Sequence, residues 1–500
     1  MASRTPWVLS FDEGTTSARA ALYNARGERV AMHSVHFDSS FPHHGWVEQD
    51  ANAIWRAQLE AALRTIEAAQ VSPSDIAACG ITNQRETTVV WDRATGEPVS
   101  PAIVWQCRRT ADFCRELAAS RHSRLIEEKT GLVIDAYFSA SKIRWILRNV
   151  PGAAARARNG ELLFGNIDTW LIWKLTGGRA HVTDPTNASR TMLMDLATGE
   201  WDDELLAIFE IPRVMLPKIA PSSARAGVID ASLLGAEIPI SGIAGDQQAA
   251  LAGQACFRAG LSKNTYGTGC FALTHTGSHQ PRSTHRLLGT RAAGIGPAPQ
   301  FAVEGSVFVA GAVVQWLRDQ LGLIRTAAES EAIAASVPDS HGVYVVPAFV
   351  GLGAPHWASS ARGLICGLTR ASGKAHIVRA ALESIAYQSR ELIDAMEADS
   401  GEPISELRVD GGAAVNDFLM QFQADILGKP VVRPRDVETT ALGAAYLAGI
   451  AEGIWSGPEE VENFWQVERR FEPQMSASAR ESLMDGWRAA VARAVPETSH

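Results

Sequence analysis

Two short loops of matching chemistry, Asp12-Glu13-Gly14-Thr15-Thr16-Ser17 and Gly267-Thr268-Gly269, lie roughly 250 residues apart, each near the opening of one half of the chain. Both combine glycine with threonine between apolar flanks. The first is framed by Val8-Leu9-Ser10-Phe11 and Arg19-Ala20-Ala21-Leu22-Tyr23, which read as the strands of a hairpin. The second is framed by Lys263-Asn264-Thr265-Tyr266 and Cys270. A chain of 500 residues is too long for one core, so the repeat points to two large α/β domains closing on one ligand.

The loop chemistry suits phosphate. Gly14 lets the backbone come close to a ligand, and the amides and hydroxyls of Thr15, Thr16 and Ser17 are donors for phosphate oxygens. Asp12, at the strand end, is placed to hold a hydrated Mg²⁺ beside them. The same residue types also build ordinary surface turns, so one loop alone leaves both readings open.

Composition removes several classes. A net charge of −9 leaves no basic stripe for a nucleic-acid backbone. The six cysteines are scattered with no CxxC pair, which disfavours a disulfide framework or zinc site and fits a reducing cytoplasm. No apolar run approaches the roughly 18 residues of a membrane span, and the N-terminus carries no signal-like apolar region.

Along the chain, a third strand is expected over 29–35, and Asp50 caps a helix that presents Trp55, Leu59, Ala62 and Ile66 on one face. Ile76–Ile81 reads as a buried strand running into the polar Thr82–Thr87, the kind of junction where open α/β sheets bind ligands. A second junction, Ile240–Gln248, delivers Asp246 to a helix start, as a cap or as a base. A third, Leu407–Asn416, passes through Gly411 and Gly412 into a helix. Val309–Trp316 reads as a buried helix with small residues, and the tail from about 456 to 500 reads as amphipathic helix. Arg85-Glu86 is either a solvated ion pair or a polar pair for a ligand, and Trp105 and Phe271 are either core or an aromatic wall.

Long strings of this sequence resemble the glycerol kinases, a branch of the FGGY carbohydrate kinases within the actin-like ATPase superfamily. They include FDEGTTSAR, GITNQRETTVVWD, AIVWQCRRT, TGLVIDAYFSASKIRWIL, HVTDPTNASRTML, ISGIAGDQQAAL, KNTYGTGCF, VVPAFVGLGAPHW and VDGGAAVNDFLMQFQ. Tyr137–Asn149 and Gly363–Glu383 are similar to the general FGGY signatures. The resemblance implies two ribonuclease-H-like α/β domains with mixed sheets flanking a central cleft, residues 5–253 for polyol and phosphates and 254–500 for nucleotide. It implies transfer of phosphate from ATP to glycerol with Mg²⁺, a cytoplasmic location, and a homo-oligomeric dimer or tetramer.

By the same resemblance, Asp246, Asp12 and Arg19 are catalytic, and Asp12 holds Mg²⁺ through water. Thr15, Thr16, Ser17 and Arg19 take the phosphates. Thr268, Gly311, Gln315, Gly412 and Asn416 take the rest of the nucleotide. Arg85, Glu86, Trp105, Tyr137, Asp246, Gln247 and Phe271 surround the polyol. Glu13 stands where many relatives carry Gln, Ala18 where Ser is frequent, and Ala136 where proline is common. Some relatives are controlled by fructose 1,6-bisphosphate or by histidine phosphorylation. The loop Ile229–Glu237 has neither a basic residue nor a histidine, so neither control is expected.

Overall fold

A strand that is apolar on both sides needs cover on both sides, and β1 (Trp7–Glu13) is such a strand, buried from Val8 to Glu13. In the computed structural model, which describes residues 6–358 and 360–495, it lies inside a sheet of six strands. The others are β2 (Ser17–Tyr23), β3 (Arg29–His36), β4 (Ile76–Asn83), β5 (Ser223–Ile229) and β6 (Ile238–Gly245), in the order β5-β6-β4-β1-β2-β3. β1, β2 and β3 form an antiparallel meander, while β4 and β6 run parallel to β1.

The second half repeats the plan. Its sheet contains β7 (Ser262–Tyr266), β8 (Cys270–Gly277), β9 (Leu288–Arg291), β10 (Phe301–Val307), β11 (Leu407–Asp410), β12 (Val431–Pro434) and β13 (Val467–Phe471), in the order β9-β10-β8-β7-β11-β12-β13. β7 pairs antiparallel with β8 and parallel with β11, as β1 does with β2 and β4. The tail, read as helix, therefore also supplies the edge strand β13. Its sequence Val-Glu-Arg-Arg-Phe buries only Phe471, so the strand alternation is masked by charge at an edge.

The chief helices are α1 (Ala51–Ala69), α2 (Asp246–Gly253), α3 (Gly311–Asp319), α4 (Lys374–Ser400), α5 (Asp417–Leu427), α6 (Thr439–Ala451) and α7 (Ala477–Ala494). Asp50 caps α1 as expected, accepting from the Asn52 amide. The stripe that α1 buries is centred on Ile54, Gln58, Ala61 and Thr65, with Trp55 and Leu59 only half-buried beside it. α7 stacks Trp487 on Tyr387 of α4, with ring centroids 5.4 Å apart, and so completes the second core.

Pleating sends Leu9 and Phe11 toward the α1 side of the first sheet and Val8 to the other, where Ala441, Ala445 and Tyr446 of α6 cover it. A helix of the second half thus roofs the first sheet. It does so with backbone nearly touching backbone: a Cβ on Gly80 would sit 2.1 Å from the Ala444 carbonyl oxygen, and one on Gly443 would sit 1.8 Å from that of Ala249 in α2. Gly443→Ala should therefore cost about 1–3 kcal/mol by forcing the two helices apart. The thermal midpoint measures this, and an unchanged midpoint would mean that the helices separate freely.

Candidate active site

β1, β4 and β6 end at the same edge of the first sheet, with Glu13 opposite Asn83 and Asn83 opposite Gly245. The register thereby brings together the Asp12–Ser17 loop, the run Gln84-Arg85-Glu86 and Asp246, at the carboxyl ends of parallel strands where such sheets bind ligands.

The loop is braced from beneath. Gly14 donates its amide to the Ser17 carbonyl at 3.0 Å, Gln49 donates to the Thr15 carbonyl at 2.6 Å, and the Trp105 indole donates to the Thr15 hydroxyl at 3.0 Å. Thr16 is left exposed and Thr15 and Ser17 half-exposed, as a phosphate cradle requires. Asp12 faces Arg19 across the hairpin, 3.3 Å from its guanidinium, and Arg19 also reaches Glu438 of the second half at 2.7 Å. Burial pushes the Asp12 carboxyl up against the opposing pull of Arg19.

Among the described residues no group of three or more His, Cys, Asp or Glu side chains is arranged to hold a metal by itself. The Asp12 Oδ2 is buried and accepts no hydrogen bond. That pairing suits a hydrated Mg²⁺, which keeps its waters and takes phosphate oxygens while leaning on one carboxylate.

Below the loop lies a buried four-member charge array. Glu304 of β10 accepts two hydrogen bonds from Arg85, that from Nη2 at 2.9 Å, and one from Arg190 at 3.0 Å. Arg190 in turn donates to Glu86 at 2.6 Å. Burial opposes the Glu304 charge, but Arg190 and Arg85 together outweigh it and hold its carboxyl at about 2. The Glu86 carboxylate, which accepts from Arg190, is pushed up by burial. Arg85 and Glu86 are therefore no solvated pair. They stand 3.9 Å apart, each engaged mainly with a partner distant in sequence.

Asp246 is the first residue of α2, and Gly245 occupies the cap position without a side-chain cap. Its Oδ1 accepts from the Gln247 amide at 2.7 Å and lies 3.0 Å from Arg85 Nε. The side chain is 32% exposed, unlike the four buried members of the array, so the carboxylate is partly open to solvent. Trp105 and Tyr137 pack edge to face at 5.5 Å, with the Arg190 cation 5.6 Å from the Tyr137 ring. Gln247 accepts from the buried ammonium of Lys263, which also donates to the Phe271 carbonyl at 3.2 Å.

In the second half, α3 starts against the Gly267–Thr268 turn: the Gly311 amide donates to the Gly267 carbonyl at 2.9 Å, and a Cβ on Gly311 would lie 2.6 Å from that oxygen. Thr268, Gln315 and Gly412 are exposed. Gln315 is an exposed residue of a helix that buries Val313, Val314 and Leu317. Asn416 caps α5 through its Oδ1 and donates Nδ2 to Ser330 at 3.3 Å, so it is also a structural joint.

Arg190, Glu304, Lys263 and Glu438 were not singled out by sequence reading. Only Glu304 left a local trace, as an acid inside the apolar strand Phe-Ala-Val-Glu-Gly-Ser-Val.

The model of the FGGY family of carbohydrate kinases matches through its N-terminal domain over residues 7–253 and its C-terminal domain over 262–452. Glycerol kinase 2 of Thermotoga maritima is 57% identical over 98% of this chain and 99% of its own length. The glycerol kinase of Symbiobacterium thermophilum is 58% identical over 98% of both chains. Among solved structures, Plasmodium falciparum glycerol kinase with ADP superposes with a TM-score of 0.93, at 36% identity over 99% of both chains. A xylulose kinase from Lactobacillus acidophilus shares the fold, with a TM-score of 0.88 at 24% identity. The chain belongs to the FGGY family of carbohydrate kinases, among its glycerol kinases.

Proposed function

We propose that this protein transfers the γ-phosphoryl group of ATP to a terminal hydroxyl of glycerol, giving ADP and sn-glycerol 3-phosphate. The observation that carries the reading is Asp246: a carboxylate about one-third exposed beside a buried charge array and held by Arg85.

In this reading Asp246 accepts the proton of the hydroxyl as its oxygen attacks the γ-phosphorus, and the bond to the β-γ bridging oxygen breaks to release ADP. The transition state is loose, so the residues chiefly position and offset charge. Arg85, Glu86 and Gln247 address the hydroxyls, and Trp105, Tyr137 and Phe271 wall the carbon edge. Thr15, Thr16, Ser17 and Arg19 hold the phosphates from residues 5–253, while Thr268, Gly311, Gln315, Gly412 and Asn416 hold the nucleotide from 254–500. Mg²⁺, when bound beside Asp12, supplies positive charge to the triphosphate. Closure of the two halves excludes water, which would otherwise take the phosphoryl group. No helix of the described residues is long and apolar enough to cross a membrane, and the six cysteines, five of them buried, are unpaired, which suits work in the cytoplasm.

A coupled ADP-release assay over glycerol, other small polyols and ketopentoses tests this. Glycerol is expected to give the highest kcat/KM. Preference for a ketopentose would replace the glycerol reading with that of a pentulose kinase.

A further inference from the structure

Among the described residues two lysines, Lys142 and Lys263, are fully buried, and neither has a role so far. Lys142 lies in the helix Ser139–Asn149, and its ammonium donates back to the carbonyls of Tyr137 and of Phe138, the latter at 3.1 Å. Lys263 lies on β7 and donates to Gln247, to Thr265 at 2.8 Å and to the Phe271 carbonyl at 3.2 Å. Neither touches a carboxylate. Desolvating an ammonium without a counter-ion is costly, and uncharged residues fill such space more cheaply. What both lysines hold is backbone or amide next to the same pocket, one from each half of the chain.

We propose that Lys142 and Lys263 are positioning residues for the polyol pocket, each pinning one of its walls: Lys142 the Tyr137 wall, and Lys263 the Gln247 and Phe271 wall. This rests on the reading above that those residues enclose glycerol. Burial lowers both ammonium groups to about 8. The charged and titratable groups facing Lys142 are Glu86, Cys107, Cys114 and Asp135, and those facing Lys263 are Asp410, Asp246, Glu304 and Arg85. Each brace is thus at full strength below that range and weakens as pH rises through it, when the charge and one donor go.

Lys142→Met and Lys263→Met in the full chain test this, read by hydrogen exchange without glycerol and by steady-state kinetics. The expected result is faster exchange confined to residues 136–140 in the first and to 246–249 and 268–274 in the second. With it, the glycerol KM rises about tenfold while the ATP KM holds. Unchanged exchange in a folded variant overturns the brace whatever the kinetics. Faster exchange with an unmoved glycerol KM overturns the link to the pocket, and with it the assignment of Tyr137 and Phe271 to the polyol, while glycerol turnover by the wild type still stands or falls on the polyol panel. Should a variant fail to fold, the wild type decides: its glycerol KM rises between pH 7 and 9 while its ATP KM stays level, and a level glycerol KM overturns the proposal.

Discussion

Asp246→Asn is expected to lower kcat for glycerol by about 10²–10⁴-fold, the usual worth of a positioned general base. Asparagine keeps the size of the side chain and an oxygen for Arg85 and the Gln247 amide, so α2 should start as before. Glycerol affinity, measured by calorimetry with a non-hydrolysed ATP analogue, should change little. The loss should therefore fall in kcat rather than KM, the mark of an interaction made in the transition state. Turnover within a few-fold of wild type would remove Asp246 as the base.

Arg190→Ala should destabilise the fold by about 3–5 kcal/mol, because it leaves two buried carboxylates facing each other with one cation fewer. Glu86 loses its direct donor, and Glu304 keeps Arg85 alone. Thermal and urea unfolding at neutral pH measure the cost, and a loss below 1 kcal/mol would mean that water repairs the gap. The acid limb gives an independent reading. Held at about 2 against an ordinary 4.5, Glu304 contributes stability that is present above its ordinary range and disappears as pH falls through it toward 2. Glu304→Gln should flatten that limb.

Local chemistry made much of this legible from sequence. The strands flanking Asp12–Ser17, the cap at Asp50 and the junction before Asp246 are short-range patterns, and short-range energetics realise them. The charge array was hidden because each partner is ordinary in its own segment. Arg190 follows a short helix, Glu304 sits in a strand, and only the docking of β10 against the first half puts them 3.0 Å apart. Lys142 and Lys263 were hidden for a related reason: lysine is normally read as solvated, and nothing near them in sequence announces complete burial. The edge strand in the tail was missed because four of its five residues are exposed.

The α6 roof over the first sheet has a further consequence for anyone who cuts the polypeptide. Severed between 253 and 254, the leading fragment would present Val8, Ala21, Tyr23 and Ala78 bare to solvent, since their cover arrives more than three hundred positions later. Such a fragment should precipitate when produced alone and recover only when its complement is co-expressed, so the unit that folds is the entire polypeptide and not either of its sequence-defined halves.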